Sequence, residues 1–236
     1  MDFDIFSKEL KYKAEKIDIN LTNDQIQKFY KYMNLLVEWN EKINLTAITA
    51  PNEIILKHFI DSLTINKYIK EKDNIIDVGT GAGFPGIPIC ITNECNVKLL
   101  DSLNKRIKFL EEIINKLELN NISTIHSRVE DFAKENMKKY DIATSRAVAP
   151  LNVLVEYLLP LVKVGGICIC MKGPDVSRET LEAQNAINIL GGKIEKEDKV
   201  ILPDSDIERN IVIIKKEKET PKRYPRKAGI PSKEPL

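Results

Sequence analysis

The sequence predicts an α/β protein, with a seven-stranded, mostly parallel, doubly wound sheet preceded by a helical extension. Three observations carry that expectation. From Asn74 onward, short apolar runs alternate with helical stretches, the pattern of consecutive βαβ units. Gly165-Gly166 and Gly191-Gly192 fall where helices should stop and strands begin. Before residue 70 the apolar residues recur only at helical intervals.

In the first unit, residues 1–70, Thr22 and Gln25 have capping-box spacing, and Leu21 and Ile26 stand where a hydrophobic staple would place them. Ile26, Phe29, Tyr30, Met33 and Leu36 then predict an amphipathic helix ending near Asn40. A second helix should open at Pro51 and carry Ile54, Ile55, His58, Phe59 and Leu63. These helices need another surface to cover their apolar faces. In the second unit, 71–218, strands are expected at Ile75–Val78, Val97–Leu100, Ile122–Ile125, Ile142–Thr144, Ile167–Met171, Val200–Leu202 and Ile211–Ile214. One intervening helix is marked by Ile107, Leu110, Ile113, Ile114 and Leu117, another by Leu151, Leu154, Leu158 and Leu161. Residues 219–236 form a third unit. Their prolines at 221, 225, 231 and 235 and their cations Lys222, Arg223, Arg226, Lys227 and Lys233 read as an extended basic tail, with a disordered, solvated terminus as the alternative.

The 236 residues include 43% hydrophobic and 30% charged side chains, with a net charge of +1. That is an ordinary soluble globular profile and names no partner. The start, MDFDIFSKEL, lacks the basic flank and apolar core of a signal peptide, and no run reaches the roughly 18 apolar residues that cross a membrane; the expected location is the cytoplasm. Cys90, Cys95, Cys168 and Cys170 show no metal-ligand or disulfide spacing. Cys168 and Cys170, two apart in a strand, should be buried on one face. No metal is expected, and nothing resembles a coiled-coil seam, so the default is a monomer.

The most informative segment is NIIDVGTGAGFPGIPIC, in which a strand carries Asp77 and is followed by Gly79, Gly81 and Gly83 before a helix opens around Pro85. Glycines there let the backbone turn sharply and approach a ligand. Gly81, Gly83 and Gly86 also fit the dinucleotide pattern GxGxxG, which alone is weak. An aspartate ahead of the glycines would repel a pyrophosphate and welcome a cation. The order Asp-x-Gly-x-Gly-x-Gly therefore suits S-adenosylmethionine (SAM), with its sulfonium and zwitterionic amino acid, better than a nicotinamide dinucleotide. Asp101 ends the second strand, where a carboxylate can accept from ribose hydroxyls of either cofactor. Val129 and Glu130 stand after the third strand, a seat for adenine. Asp101 and Glu130 also fit plain helix N-terminal carboxylates facing water.

The segments NLTAIT, KHFIDSL, DVGTGAGFPGIP, SRVED, SRAVAPL, MKG, ERNIVIIKK and YPRKAGIPSKEPL together resemble the ribosomal RNA small subunit methyltransferase G family, also called glucose-inhibited division protein B. The resemblance covers nearly the whole chain. It implies a class I SAM-dependent methyltransferase fold. It also implies methyl transfer to N7 of one guanosine, nucleotide 527 in the 530 loop of 16S rRNA, within the small subunit or an assembly intermediate. By the same resemblance, Gly79, Phe84, Val129, Glu130 and Arg146 occupy cofactor-contacting positions.

Guanine N7 carries an in-plane lone pair and no proton, so the attack needs no general base and catalysis falls to positioning. The product base is cationic. Arg146, at the end of the fourth strand, and Arg128 and Arg209 are therefore expected on phosphates or O6 rather than on N7. For Arg128 and Arg209 a surface ion pair is the alternative; Lys172, in MKG, fits either a phosphate neutraliser or a solvated strand-end lysine. Phe84 fits either cofactor packing or a core aromatic. His58 and Asp61, three apart on one helix, fit a cap over the cleft or a packed, satisfied histidine; His126 is read as packed. The tail, on this reading, contacts RNA, and its removal should leave SAM affinity unchanged.

Overall fold

Local chemistry sets the helical ends of the N-terminal unit. The computed structural model describes residues 1–174 and 176–236. Helix α1, Phe3–Glu15, which the periodicity had not singled out, is capped by the Asp2 carboxylate accepting from the Ile5 amide at 3.0 Å. Helix α2, Asn23–Ile43, has the full capping box: Thr22 Oγ1 accepts from the Gln25 amide at 3.3 Å, and Gln25 Oε1 accepts from the Thr22 amide at 2.9 Å. It runs past the expected Asn40 to Asn44, which closes it in the left-handed conformation at φ 49°, a conformation asparagine tolerates. The helix expected from Pro51 is a composite of α3 (Pro51–Ile54), a π-helical turn (Ile55–Ile60) and α4 (Asp61–Leu63). A short 3₁₀ turn, Asn66–Tyr68, leads to the sheet.

The strands are β1 Asn74–Val78, β2 Asn96–Asp101, β3 Ile122–His126, β4 Tyr140–Arg146, β5 Val162–Lys172, β6 Gly192–Ile201 and β7 Glu208–Lys216. Their order is β3-β2-β1-β4-β5-β7-β6, parallel through the first five positions, with β7 antiparallel to both neighbours. The helices between them are α5 Gly86–Thr92, α6 Asn104–Lys116, α7 Val129–Glu135, α8 Leu151–Leu158 and α9 Val176–Ile189, with α10 Ile230–Lys233 near the end. The chain winds outward through β2 and β3, returns to β4 and winds the other way. The carboxyl ends of β1 and β4 thus form the crevice where doubly wound sheets bind ligands.

Two strands begin well before the sequence expectation. Gly165 and Gly166 lie inside β5 rather than ahead of it. Tyr140 pairs with Val162 and Ile142 with Ile167, so the glycines take up the extra residues of a bulge, Gly165 at φ 89°. Strand β6 begins at Gly192, well before Val200, and Leu202 falls beyond it. Its KIEKEDK stretch looks like a polar loop because an edge strand faces water and is blunted by charge.

Alternation along the strands divides the core between the two faces of the sheet. Ile169 and Met171 join the apolar cluster that holds Phe6, Phe29, Phe59, Ile87 and Phe109. Cys168 and Cys170, both buried as expected, join the cluster of Leu154, Ile187 and Tyr224 on the other face. The first cluster runs unbroken from the N-terminal helices to α5 and α6, which answers their need for a covering surface. Residues 219–236 are folded back rather than extended: Thr220, Tyr224 and Pro231 are buried, and Tyr157 Oη lies 2.9 Å from Ser232 Oγ.

Candidate active site

A cleft of about 520 Å³ opens at the carboxyl edges of β1 to β4, within the size range of small-ligand pockets. The glycine loop forms its floor. The Gly79 and Thr80 amides donate to Leu100 O on β2 at 2.8 and 3.2 Å, and the Gly81 amide donates to Asp101 Oδ2 at 3.0 Å. Gly79 and Gly81 have φ of 68° and 61°, where a side chain is strained. A Cβ on Gly79 would come within 2.6 Å of Val148, whereas one on Gly81 would meet nothing nearer than 4.0 Å. Gly81 is thus the bare backbone that faces open cleft.

Of the expected cofactor residues, Gly79, Gly81, Phe84, Asp101, Val129, Glu130 and Arg146 line this cleft, together with Arg128. Asp77 and Gly83 do not reach it. Asp77 is fully buried beneath the loop, where Oδ2 accepts from Thr80 Oγ1 at 2.6 Å and from the Gly86 amide at 2.9 Å. Burial pushes its carboxyl up to about 6. Gly83, at φ 97°, packs under Ile87 and the Tyr32 hydroxyl. Both hold the shape of the loop. Asp101 is 2% exposed; Oδ1 accepts from the Leu103 amide at 2.9 Å and Oδ2 also from Arg106 Nη1 at 3.2 Å. A carboxylate offers about four lone-pair sites, which leaves capacity for a ligand hydroxyl. Glu130, 4% exposed, accepts from the Gly229 amide at 2.9 Å.

Arg146 is the centre of a second group. Its Nη1 donates to Asp61 Oδ2 at 3.0 Å and Lys57 O at 3.1 Å, and its Nη2 to His58 Nδ1 at 3.0 Å. Its guanidinium lies 4.9 Å from the centre of the Phe84 ring, which stacks on His58 at 4.4 Å. Asp61 Oδ1 accepts from Arg209 Nε at 3.1 Å, so one carboxylate joins both arginines. Since Arg146 can only donate, His58 Nδ1 accepts, and the ring's other nitrogen donates to Thr46 Oγ1 at 2.9 Å. Burial, then the neighbouring Arg146 charge, lowers the His58 pKa to about 3. His58 is therefore a neutral, fully occupied ring, and Phe84 is both a core aromatic and a cleft wall.

A second cleft of about 750 Å³ adjoins the first and shares His58, Arg146, Ala147 and Val148 with it. Lys57, Asp61, Lys172 and Arg209 also line it. Ala147 turns the chain at φ 53°, a strained conformation of the kind concentrated at functional sites. Lys172, rather than being solvated, is largely buried and pairs with Glu179 at 2.6 Å. His126 is exposed, lines neither cleft, and lies 3.1 Å from Ser102 O. Arg128 is exposed at the cleft rim.

Sequence reasoning missed Arg106, Tyr157 and Tyr32. Arg106 had a legible signal, since it stands in the first turn of the helix after Asp101. Tyr157 gave none, because it continues an apolar helix. Among the described residues, no group of three or more His, Cys, Asp or Glu side chains is placed to hold a metal, and no helix is long and apolar enough to cross a membrane.

Similarity to known proteins follows the same pattern. The family described as rRNA small subunit methyltransferase G matches residues 25–211. The Ribosomal RNA small subunit methyltransferase G of Desulforamulus reducens is 53% identical over 232 residues, covering 96% of this chain and 97% of the relative. Its namesake from Acetivibrio thermocellus is 54% identical over 239 residues, covering 97% and 98%. Among solved structures, a geranyl diphosphate methyltransferase in complex with SAM superposes with a TM-score of 0.52 at 9% identity, covering 66% of this chain and 84% of that one; at that identity the likeness concerns the fold alone. With class I methyltransferase topology, a glycine-loop cleft at the switch point and matches over nearly its full length, the chain belongs to the rRNA small subunit methyltransferase G family.

Proposed function

We propose that the chain transfers the methyl group of SAM to N7 of a single guanosine, nucleotide 527 in the 530 loop of 16S rRNA. The observation that carries this reading is the position of Arg146 in the wall shared by two adjoining clefts. One cleft suits the cofactor and the other a base with its phosphate. Relatives named for ribosomal RNA methylation supply the substrate class.

The residues present fit SAM. Gly81 offers a loop face that no side chain fills, and Asp101 keeps acceptor capacity for a ribose hydroxyl. Val129 and Glu130 wall the same cleft. Bound SAM supplies an electrophilic methyl group on a sulfonium.

The protein's own groups position the base. No base is needed to activate N7, and His58, neutral with both nitrogens engaged, is not available as one. Asp61 between Arg146 and Arg209 offsets part of their charge, which lessens the cost of the cationic product base. The guanidinium groups then hold phosphate or O6, with Arg128 contributing at the rim of the first cleft. Proximity and alignment of this kind can lower a barrier by about 7 to 11 kcal/mol. The reading places the enzyme in the cytoplasm as a monomer acting on 16S rRNA in the small subunit or an assembly intermediate, without a metal.

The test is methyl transfer from labelled SAM to deproteinised 16S rRNA and to small-subunit particles from cells lacking the enzyme, with the product mapped by chain cleavage at N7-methylguanosine. One labelled guanosine in the 530 loop is expected. Arg146→Ala should lower the rate by about 100-fold, the scale of a misplaced reactant. Label on neither RNA, from protein that binds SAM, would overturn the reading.

A further inference from the structure

Helix α8 carries one charged side chain, Glu156, and it is fully buried. A carboxylate taken out of water must be paired, and its partner is Arg226 of the C-terminal segment. Arg226 Nε lies 2.9 Å from Oε1 and 3.1 Å from Oε2, Nη2 lies 2.6 Å from Oε2, and the Arg226 amide donates to Oε1 at 2.9 Å. Such a planar, multiply bonded pair fixes direction as well as place. Beyond it, Gly229 takes φ 82° and its amide donates to Glu130 Oε1 at 2.9 Å. Ser232 Oγ then meets the Tyr157 hydroxyl at 2.9 Å. Tyr224 and Pro231, buried near either end of this stretch, anchor it.

Glu130 and Tyr157 both line the first cleft. We infer that residues 224–232 form a clasp that sets cofactor affinity, with Arg226 a positioning residue that acts through Glu130 and Tyr157. The inference rests on the reading that SAM occupies the first cleft. It differs from a basic arm for RNA, because the Arg226 charge is spent on Glu156. A free tail would leave the Glu156 carboxylate without its counterion and the Glu130 side chain without its amide.

The experiment is calorimetric SAM binding by the wild type, Arg226→Ala, Arg226→Lys and Gly229→Ala, with 16S rRNA affinity measured on the same proteins. Arg226→Ala should raise the SAM Kd about tenfold, the scale of one lost charge-assisted hydrogen bond. Arg226→Lys should recover part of that loss, and RNA affinity should stay within about twofold of the wild type. Gly229→Ala adds a Cβ that meets nothing within 4 Å, so it strains the turn alone; it too should weaken SAM binding, and it carries the test if Arg226→Ala does not fold. Unchanged SAM affinity in both, or a loss confined to RNA, would overturn the clasp. Absence of SAM binding by the wild type would overturn the cofactor reading and the clasp with it.

Discussion

Arg146 shows how one side chain is fixed by several weak demands. Phe84 supplies a ring face, Asp61 a carboxylate, Lys57 a carbonyl and His58 a lone pair. Removing the shared carboxylate should be felt at once: Asp61→Asn leaves two guanidinium groups without their counterion and is expected to cost on the order of 3 kcal/mol, measured by urea unfolding. The His58 environment also gives a pH prediction. Its folded pKa of about 3 lies below the ordinary 6.5, so the stability present above pH 6.5 is lost as pH falls toward 3, while the unfolded chain takes up the proton. Asp77, raised to about 6, acts in the opposite sense: its burial penalty, present above pH 6, is relieved on going down to about 3.8. His58→Asn should therefore lose less stability than the wild type between pH 6.5 and 4.5. Equal losses in the two proteins, measured at both pH values, would contradict this account of the histidine.

At the scale of elements, α2 joins the N-terminal helices to the glycine loop. Its Tyr32 is fully buried, stacks on Phe84 at 5.3 Å and donates its hydroxyl to Ala82 O. Tyr32→Phe leaves that carbonyl buried without its donor and should cost about 1 to 3 kcal/mol, read as a shift in the urea midpoint. The sequence made β1, β2, β4 and the loop legible because buried parallel strands are short, mostly apolar runs and because three glycines cannot be mistaken; β3, half-buried at the sheet edge, was marked by Ile122 and Ile125. Strand ends together with the family resemblance pointed to Gly79, Gly81, Asp101, Val129, Glu130 and Arg146, which line one cleft at the sheet edge. The beginning of β6 was hidden by edge-strand charges, and the bulge in β5 by glycines that looked like a stop. The π turn that carries His58 left no mark in the apolar spacing, so the meeting of His58 and Asp61 on Arg146 was out of reach. The folded-back tail was obscured for a simpler reason: prolines and cations describe a disordered end and a clasp equally well until Glu156 is seen to be buried.

Across the whole molecule, one apolar cluster binds the N-terminal helices to the sheet, and a second joins the opposite face to the tail. Trp39, the single tryptophan, sits on α2 with its ring centre 5.7 Å from that of Phe109 on α6. Its fluorescence therefore reports the junction between residues 1–70 and the rest. With a shared core the two parts should unfold together, so tryptophan fluorescence and far-ultraviolet circular dichroism should give coincident urea transitions. Separate midpoints would show an autonomous N-terminal unit. The same continuity ties the two clefts together at Arg146, and the proposed function assigns the cofactor to one side of it and the base to the other. The measurement that tests this most directly is a crystal structure with S-adenosylhomocysteine, the demethylated product of the cofactor. The account predicts the molecule in the first cleft, over Gly81 and beside Asp101, with its sulfur turned toward Arg146 and the second cleft. A molecule seated in the second cleft, or with its sulfur turned away from Arg146, would contradict it.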